Sequence, residues 1–543
     1  MRAADAIVQS LTDHGVQRFY CVPGESYLTL LDALHGSDVR TIICRHESGA
    51  GFMAVSEAKL TGRTAVCAVS RGPGATNASI AVHVAQQDAA PLVLFIGQVA
   101  RDELARGAFQ EVDYRQFFGS MCKAVFEVID PAKIGETLSR AFHIASSGVP
   151  GPVVISLPED ILELEASAAP PPYPAVHHRH SRADIEAIQA LIDLSERPVI
   201  LAGGMLRGAG SASLARFAEA QRIPVGTTWK NQDVFDNASA LYAGHIGFGI
   251  PASFKTLLSK ADLVIAAGTR LGDVASLNYQ FPKAPQPEQP LIHIYPDSAP
   301  IGAVFRPTIG LAADPAAVLD DLSRDARVAN SARESWISEV NGFIRNFQIH
   351  KPASFGDGVD FGSVVTALEK AAPADAIITT DAGNMSTWVH RHWRMTPRNT
   401  LLGAIAGAMG FGVPAAVAAQ LAAPDRMSIC FVGDGGVLMT GQELATALQF
   451  GAKPKIVISD NGSYGTIRTH QERQYPGRVS GTRLSNPDFT AWATSFGARA
   501  FTISSANEVT ERVEEALSYD GAAVIHVKSS LKAISAYVAM PDI

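Results

Sequence analysis

Ser428-Ile-Cys-Phe-Val-Gly433-Asp434-Gly435-Gly436 and, a helical segment later, Ile458-Ser-Asp460-Asn461-Gly462-Ser463-Tyr464-Gly465 are the stretches on which the reading of this chain turns. Each is a short apolar run that stops at glycines beside a hard oxygen donor. Asp434 and Asn461 stand 27 residues apart, the length of one strand–helix–strand unit. That spacing puts both at the carboxyl ends of parallel strands, where open α/β sheets bind ligands. Gly433, Gly435 and Gly436 let backbone N–H groups approach phosphate closely. The two side-chain oxygens suit Mg²⁺, which takes one or two such ligands and fills its shell from phosphate and water. A diphosphate held through Mg²⁺ is the expected ligand, although either stretch taken alone also reads as a tight turn. A nicotinamide site would need Gly-x-Gly-x-x-Gly opening a helix, and residues 433–436 lack that spacing.

The same alternation extends to both ends of the chain. Apolar runs at 19–22, 40–44, 64–69, 92–96 and 153–157 alternate with helical periods, until the proline-rich segment 169–174 and the histidines His177, His178 and His180 interrupt them. Histidines on an extended, proline-flanked segment point in different directions, so this reads as a solvated linker rather than a metal site. A second series from Ile185 has strands at 199–202, 263–267 and 291–294 and closes on a polar helix near 331–350. A third, from Gly362, has strands at 376–379, 427–432, 455–459 and 523–527. The expected fold is α/β: three doubly wound parallel-sheet domains over residues 1–170, 185–345 and 346–543.

Composition narrows the function. The 543 residues are 47% hydrophobic and 18% charged, which suits packed cores and excludes a disordered chain. The formal charge is −8 with no Lys/Arg-rich run, so nucleic acid is not an expected partner. The apolar stretch 89–96 contains Pro91 and falls well short of the ~20 residues a membrane span needs. With no signal-peptide pattern at the start, a cytoplasmic protein is expected. Cys21, Cys44, Cys67, Cys122 and Cys430 are dispersed, without Cys-x-x-Cys spacing, and read as buried thiols.

Near the amino terminus, Glu47 in His46-Glu-Ser-Gly-Ala50 follows a strand and opens an apolar helix. A glutamate there is either a capping residue or, among small neighbours, a desolvated carboxyl with a raised pKa. Gly72-Pro-Gly-Ala-Thr-Asn77 joins a strand to a helix and supplies a run of N–H donors.

Together these blocks resemble the thiamine-diphosphate-dependent enzymes, and within them the acetolactate synthase group. The likeness covers nearly the whole chain: Pro23-Gly24, His46 to Ala50, Gly72 to Asn77, Gly97-Gln98-Val99, Phe109-Gln110-Glu111-Val112-Asp113, Gly407 to Ala416, and the Asp434 to Asn461 motif. It implies a pyrimidine-binding domain, a middle domain and a diphosphate-binding domain, with active sites between subunits of a homodimer or homotetramer. By matching position, Asp434, Asn461 and the carbonyl of Ser463 bind Mg²⁺. Gly383, Asn384, Gly435 and Gly436 approach the diphosphate, Met409 supports the folded cofactor, and Glu47 bonds the pyrimidine ring. Pro23, Gly24, Gly72, Asn77, Gly407, Gly433, Tyr464 and Gly465 complete the implied cofactor site, and Phe109 and Gln110 fall near the reacting centre.

The implied activity is a carboligase or decarboxylase acting on a 2-oxo acid. The alternatives are a lyase cleaving a 2-hydroxy ketone or 2-hydroxyacyl thioester, and a catalytically silent partner subunit, which would have no need of intact Glu47, Asp434 and Asn461. FAD stays open: Lys123 and Arg270 match flavin-contact positions, but Gly244-His-Ile-Gly247 departs from the group's pattern. At two substrate positions the chain also differs, with Asp273-Val274 in place of Asp-Arg and His470 in place of Trp. Arg468 is a candidate replacement anion binder.

Overall fold

The computed structural model describes residues 1–176, 178–325, 332–538 and 540. It contains three six-stranded sheets, each wholly parallel. The first comprises β1 (Arg18–Cys21), β2 (Arg40–Ile43), β3 (Ala65–Val69), β4 (Leu92–Gln98), β5 (Ala124–Glu127) and β6 (Pro152–Pro158) in the order 2-1-3-4-6-5. The second comprises β7 (Pro198–Ala202), β8 (Val225–Thr228), β9 (Tyr242–Ile246), β10 (Leu263–Ala267), β11 (Leu291–Tyr295) and β12 (Ile309–Ala312) in the order 12-11-10-7-8-9. The third comprises β13 (Ile377–Thr380), β14 (Thr400–Gly403), β15 (Ser428–Gly433), β16 (Lys455–Asp460), β17 (Arg499–Ile503) and β18 (Ala523–Lys528) in the order 14-13-15-16-18-17. The expected α/β class with three parallel sheets is what the chain forms. Central strands such as β3 and β4 are buried along their whole length, which is why they read as unbroken apolar runs.

Six strands carried no sequence signal: β5, β8, β9, β12, β14 and β17. The polar helix expected near 331–350 is Ala332–Gln348. Four cysteines are buried, Cys122 is half-buried and all five are free. Of the linker histidines, His177 lies outside the described residues, while His180 bonds Asp321 at 2.6 Å and the His178 carbonyl accepts from the Asp314 N–H. No group of three or more His, Cys, Asp or Glu among the described residues could hold a metal ion. None of their helices is long and apolar enough to cross a membrane.

The first and third sheets share one hydrophobic core, whereas the middle sheet has its own. The shared core is centred on helix Glu47–Thr61, which packs against helices Pro73–Gln87 and Gly412–Ala422. A Cβ on Gly51 would lie 2.3 Å from that of Ala81, so the glycine sets the helix spacing, and Phe52 meets Phe411 edge-on at 5.5 Å. Where the three domains meet, buried charges grip β14. Lys59 pairs with Asp88 and donates to the Gly403 carbonyl at 2.7 Å. Arg207 pairs with Asp233 at 2.9 Å, and Asp233 accepts the Leu401 N–H at 3.0 Å.

Candidate active site

Two groups of predicted residues assemble, each at the carboxyl end of its sheet. The first forms around the turns after β2 and β3. His46 caps helix Glu47–Thr61 through its ring nitrogen, which accepts from the Ser48 N–H at 3.1 Å. Glu47, the first helical residue, is half-buried and accepts from Asn77 Nδ2 at 2.9 Å. A Cβ on Gly74 would sit 3.5 Å from Glu47 Oε1. Gly72 has φ +55°, and a Cβ there would lie 2.7 Å from the Gln110 carbonyl oxygen, so the turn admits only glycine. Gln110 is itself left-handed at φ +65°. Gly24, beside the exposed Pro23, approaches Ser70 so closely that a Cβ would come within 2.6 Å. Pro73, Thr76, Asn77 and Ile80 form an uncovered stripe on helix Pro73–Gln87, and Phe109 is 76% exposed.

The second group lies at the ends of β13, β15 and β16. Gly433 pairs with Ser459 across neighbouring parallel strands, which brings Asp434 and Asn461 together as their spacing predicts. Asp434 is buried and accepts from the N–H groups of Gly435 at 2.9 Å and Ser463 at 3.2 Å. The Asn461 amide oxygen accepts from the Ser463 N–H at 3.1 Å. Tyr464 packs on Gly435, where a Cβ would meet its ring at 2.5 Å, and Gly465 opens helix Gly465–Gln474. Gly383, at φ +139°, abuts the Met385 sulfur. Asn384 bonds Thr466 and Thr469, each at 3.1 Å, tying its turn to that helix. Gly407 and Gly410 are left-handed and frame the half-buried Met409.

Electrostatics support a cation beside Asp434. Burial pushes its carboxyl up to about 6, and the charge of Asp460 adds to that rise while Asn486 and the Gly435 N–H oppose it. Asn486 Nδ2 bridges the two carboxylates, at 2.9 Å from Asp434 and 2.7 Å from Asp460, leaving its own buried oxygen without a partner. A buried carboxylate beside a second one and the amide oxygen of Asn461 form a hard donor set that fits Mg²⁺.

Three residues of this site escaped sequence reasoning. Asp381, at the end of β13, is wholly buried, and its two oxygens accept the Gly410 N–H at 2.9 and 3.0 Å, fixing the Met409 turn. Burial raises its carboxyl to about 6 against the opposing effect of the Ala382 N–H and Lys230. Its only local signal is weak, an Asp-x-Gly spacing in Asp381-Ala-Gly383 shared with Asp434-Gly-Gly436. Asn486 had no local signal, nor had Glu443, whose carboxyl accepts the Arg45 and His46 N–H groups just before Glu47.

One substrate expectation is corrected. Arg468 is buried and its Nε donates to Glu472 at 3.0 Å, so its charge is neutralised within its own helix rather than offered to an anion. His470 is exposed. Asp273, Val274 and Arg270 line an 830 Å³ cavity between the domains. Lys123 instead donates to the carbonyls of Ser147 and Val149 at 2.5 and 2.8 Å.

Among the described residues, no hydrogen bond joins Glu47 to the Asp434 group. Each half is complete in itself, one a carboxyl–amide pair on an uncovered helix face, the other a glycine-lined oxygen cradle.

Comparison with known proteins identifies what such a pair of halves belongs to. Family models for the N-terminal TPP binding domain, the central domain and the C-terminal TPP binding domain of thiamine pyrophosphate enzymes match residues 1–117, 185–322 and 381–527. The acetolactate synthase large subunit of Parasynechococcus marenigrum is 34% identical, over 91% of this chain and 82% of its own. That of Corynebacterium glutamicum is 33% identical, over 95% and 84%. In fold, the chain is similar to a solved thiamine diphosphate-dependent 4-hydroxybenzoylformate decarboxylase of Rhodococcus jostii, with a TM-score of 0.85 and 23% identity over 98% of this chain and 99% of that one. The chain belongs to the thiamine pyrophosphate enzyme family.

Proposed function

We propose that this protein is a thiamine diphosphate- and Mg²⁺-dependent carboligase or decarboxylase acting on a 2-oxo acid, with the 1–170 domain of one subunit facing the 346–543 domain of another in a homodimer or homotetramer. The observation that carries the reading is the Glu47–Asn77 pair, held on an uncovered helix face while the complete oxygen cradle of Asp434, Asn461 and Ser463 stands elsewhere in the chain. Five free cysteines suit a reducing, cytoplasmic setting. Acetolactate synthesis by relatives supports the substrate class.

Asp434, Asn461 and the Ser463 carbonyl would hold Mg²⁺, and Gly383, Asn384, Gly435 and Gly436 would receive the diphosphate. When bound, thiamine diphosphate would supply a nucleophilic carbon and an electron sink for breaking or making a C–C bond. The chain's own contribution is positional and protonic. Asn77 orients the Glu47 carboxyl toward the uncovered face, where it would exchange a proton with the cofactor's pyrimidine ring. Asp381 holds the 407–410 turn so that Met409 stands proud of it, and Phe109 and Gln110 border the reacting centre.

A second reading, a lyase acting on a 2-hydroxy ketone or 2-hydroxyacyl thioester, is favoured by the loss of free guanidinium groups: Val274 stands where the acetolactate synthase group has Arg, and Arg468 is bound to Glu472. FAD binding belongs to the same proposal only as far as the 830 Å³ cavity, which Arg270 lines. The test is to assay the protein with thiamine diphosphate and Mg²⁺ for CO₂ release and C–C products from 2-oxo acids, and for aldehyde release from 2-hydroxy ketones and thioesters. Product from the oxo acids alone supports the first reading, cleavage alone the second, and cofactor-independent turnover would defeat both.

A further inference from the structure

Glu443 begins helix Glu443–Phe450 of the third domain, yet its carboxyl is wholly buried against the first. Its oxygens accept the Arg45 N–H at 3.0 and 3.2 Å, the His46 N–H at 3.0 Å and the Thr446 hydroxyl at 2.6 Å. Arg45 and His46 are the two residues immediately before Glu47. The same helix reinforces the grip, because Gln449 accepts from Arg45 Nη2 at 2.6 Å. Opposite the carboxyl stands Gly49, where a Cβ would fall 2.3 Å from Glu443 Oε1.

Such a site is shaped for one group. Both backbone donors converge on Oε1, and the Arg45 N–H is shared with Oε2, so an amide seated here with its oxygen toward His46 would set its NH₂ against the Arg45 N–H. Burial drives the Glu443 carboxyl upward while Thr446 and the Arg45 and His46 N–H groups oppose that. With no side chain at Gly49, the carboxyl reaches the turn without displacing helix Glu47–Thr61. Of everything around Glu47, this carboxylate makes the most bonds to the backbone that aims it, and it does so from a different domain.

We infer that Glu443 is a positioning residue for Glu47: by clamping the Arg45 and His46 N–H groups it fixes the direction in which the Glu47 carboxyl leaves the helix start. The inference rests on the role proposed for Glu47. Proton exchange at the cofactor then depends on Glu443, whereas cofactor affinity, which resides in the Asp434 cradle, does not. Carboxyl groups that act in proton transfer lose rate steeply when displaced by about an ångström.

The experiment measures two quantities on the full-length protein with Mg²⁺: the affinity for thiamine diphosphate by calorimetry, and hydrogen–deuterium exchange at the cofactor's C2 by quenched-flow NMR. It compares wild type with Glu443→Gln, Gly49→Ala and Glu47→Gln. Glu443→Gln removes one acceptor oxygen, and Gly49→Ala displaces the carboxylate while keeping its charge. Glu443→Asp, which withdraws the oxygens by one methylene, is the milder variant if either fails to fold. The expected result is affinity within threefold of wild type and C2 exchange slowed on the order of tenfold or more in both clamp variants, with faster amide exchange at Arg45 and His46 in the cofactor-free protein. Wild-type C2 exchange in a folded clamp variant, with slow exchange in Glu47→Gln, would overturn the inference alone. Fast exchange in Glu47→Gln would overturn the role of Glu47 and the inference with it. A fall in affinity matching the fall in exchange would make Glu443 a structural residue and overturn the inference as well.

Discussion

A buried carboxylate with a second carboxylate beside it is costly to keep ionised, and removing a cation that sits there leaves that charge uncompensated. Asp434 is in this position, since only the amide of Asn486 separates it from Asp460. We therefore expect Asp434→Ala to abolish Mg²⁺-dependent binding of thiamine diphosphate without unfolding the protein. Titration calorimetry with and without Mg²⁺ checks this, and unchanged affinity would reassign the ligand. Glu47→Gln keeps the bond from Asn77 through its amide oxygen but cannot relay a proton. It should preserve cofactor affinity and lower turnover by roughly 10²–10⁴-fold, the usual scale for positioned acid–base catalysis, as steady-state kinetics on whichever substrate proves active will read. Asp434 and Asn461 stood out in the sequence because each follows a strand in a short glycine-flanked motif, and Glu47 because it opens a helix just after one. Asp381, Asn486 and Glu443 did not, because their partners lie 29, 52 and 398 residues away, and no local pattern records a contact over such separations.

Among the elements, the strands that sequence reading found and those it missed differ in position within their sheets. β5, β9, β12, β14 and β17 are all edge strands. β5 is half-buried throughout and β17 alternates in exposure, so neither needs the continuous apolar run that marked the central strands. β8, next to the edge, was missed because Val-Gly-Thr-Thr is small and polar for a buried strand. On β9 and at the end of the helix Met385–His392, burial pushes His245 and His392 down to about 4. In the unfolded chain each takes up its proton near pH 6.5. The unfolded state thus binds more protons between pH 6.5 and 4, so the contribution to stability is intact above pH 6.5 and is lost as pH falls toward 4. Urea midpoints should fall over that window, with a limiting slope of about 1.4 kcal/mol per pH unit for each group. His392→Asn, which can still donate to the Gln348 carbonyl that His392 now meets at 2.8 Å, should make the fall shallower. An unchanged slope would show that His392 is protonated in the folded state.

At the scale of the whole molecule, two half-sites that do not meet within one chain make a complementation experiment informative. Glu47→Gln damages one half and Asp434→Ala the other. If sites form between subunits, each mixed dimer has one intact site, and an equimolar mixture refolded together should recover about a quarter of wild-type activity by random pairing. No recovery above the sum of the two parents would place both residues of a site in one chain. The shared core of the first and third sheets has a further consequence, in time rather than in space. Helix Glu47–Thr61 is buried along nearly its whole length, and part of its cover is helix Gly412–Ala422, which the ribosome makes some 350 residues later. At roughly 5–20 residues per second of synthesis, the nascent first domain waits on the order of 20–70 s with an apolar helix face uncovered. Truncation before residue 412 makes that wait permanent, so fragments ending there should be the most aggregation-prone products of this gene.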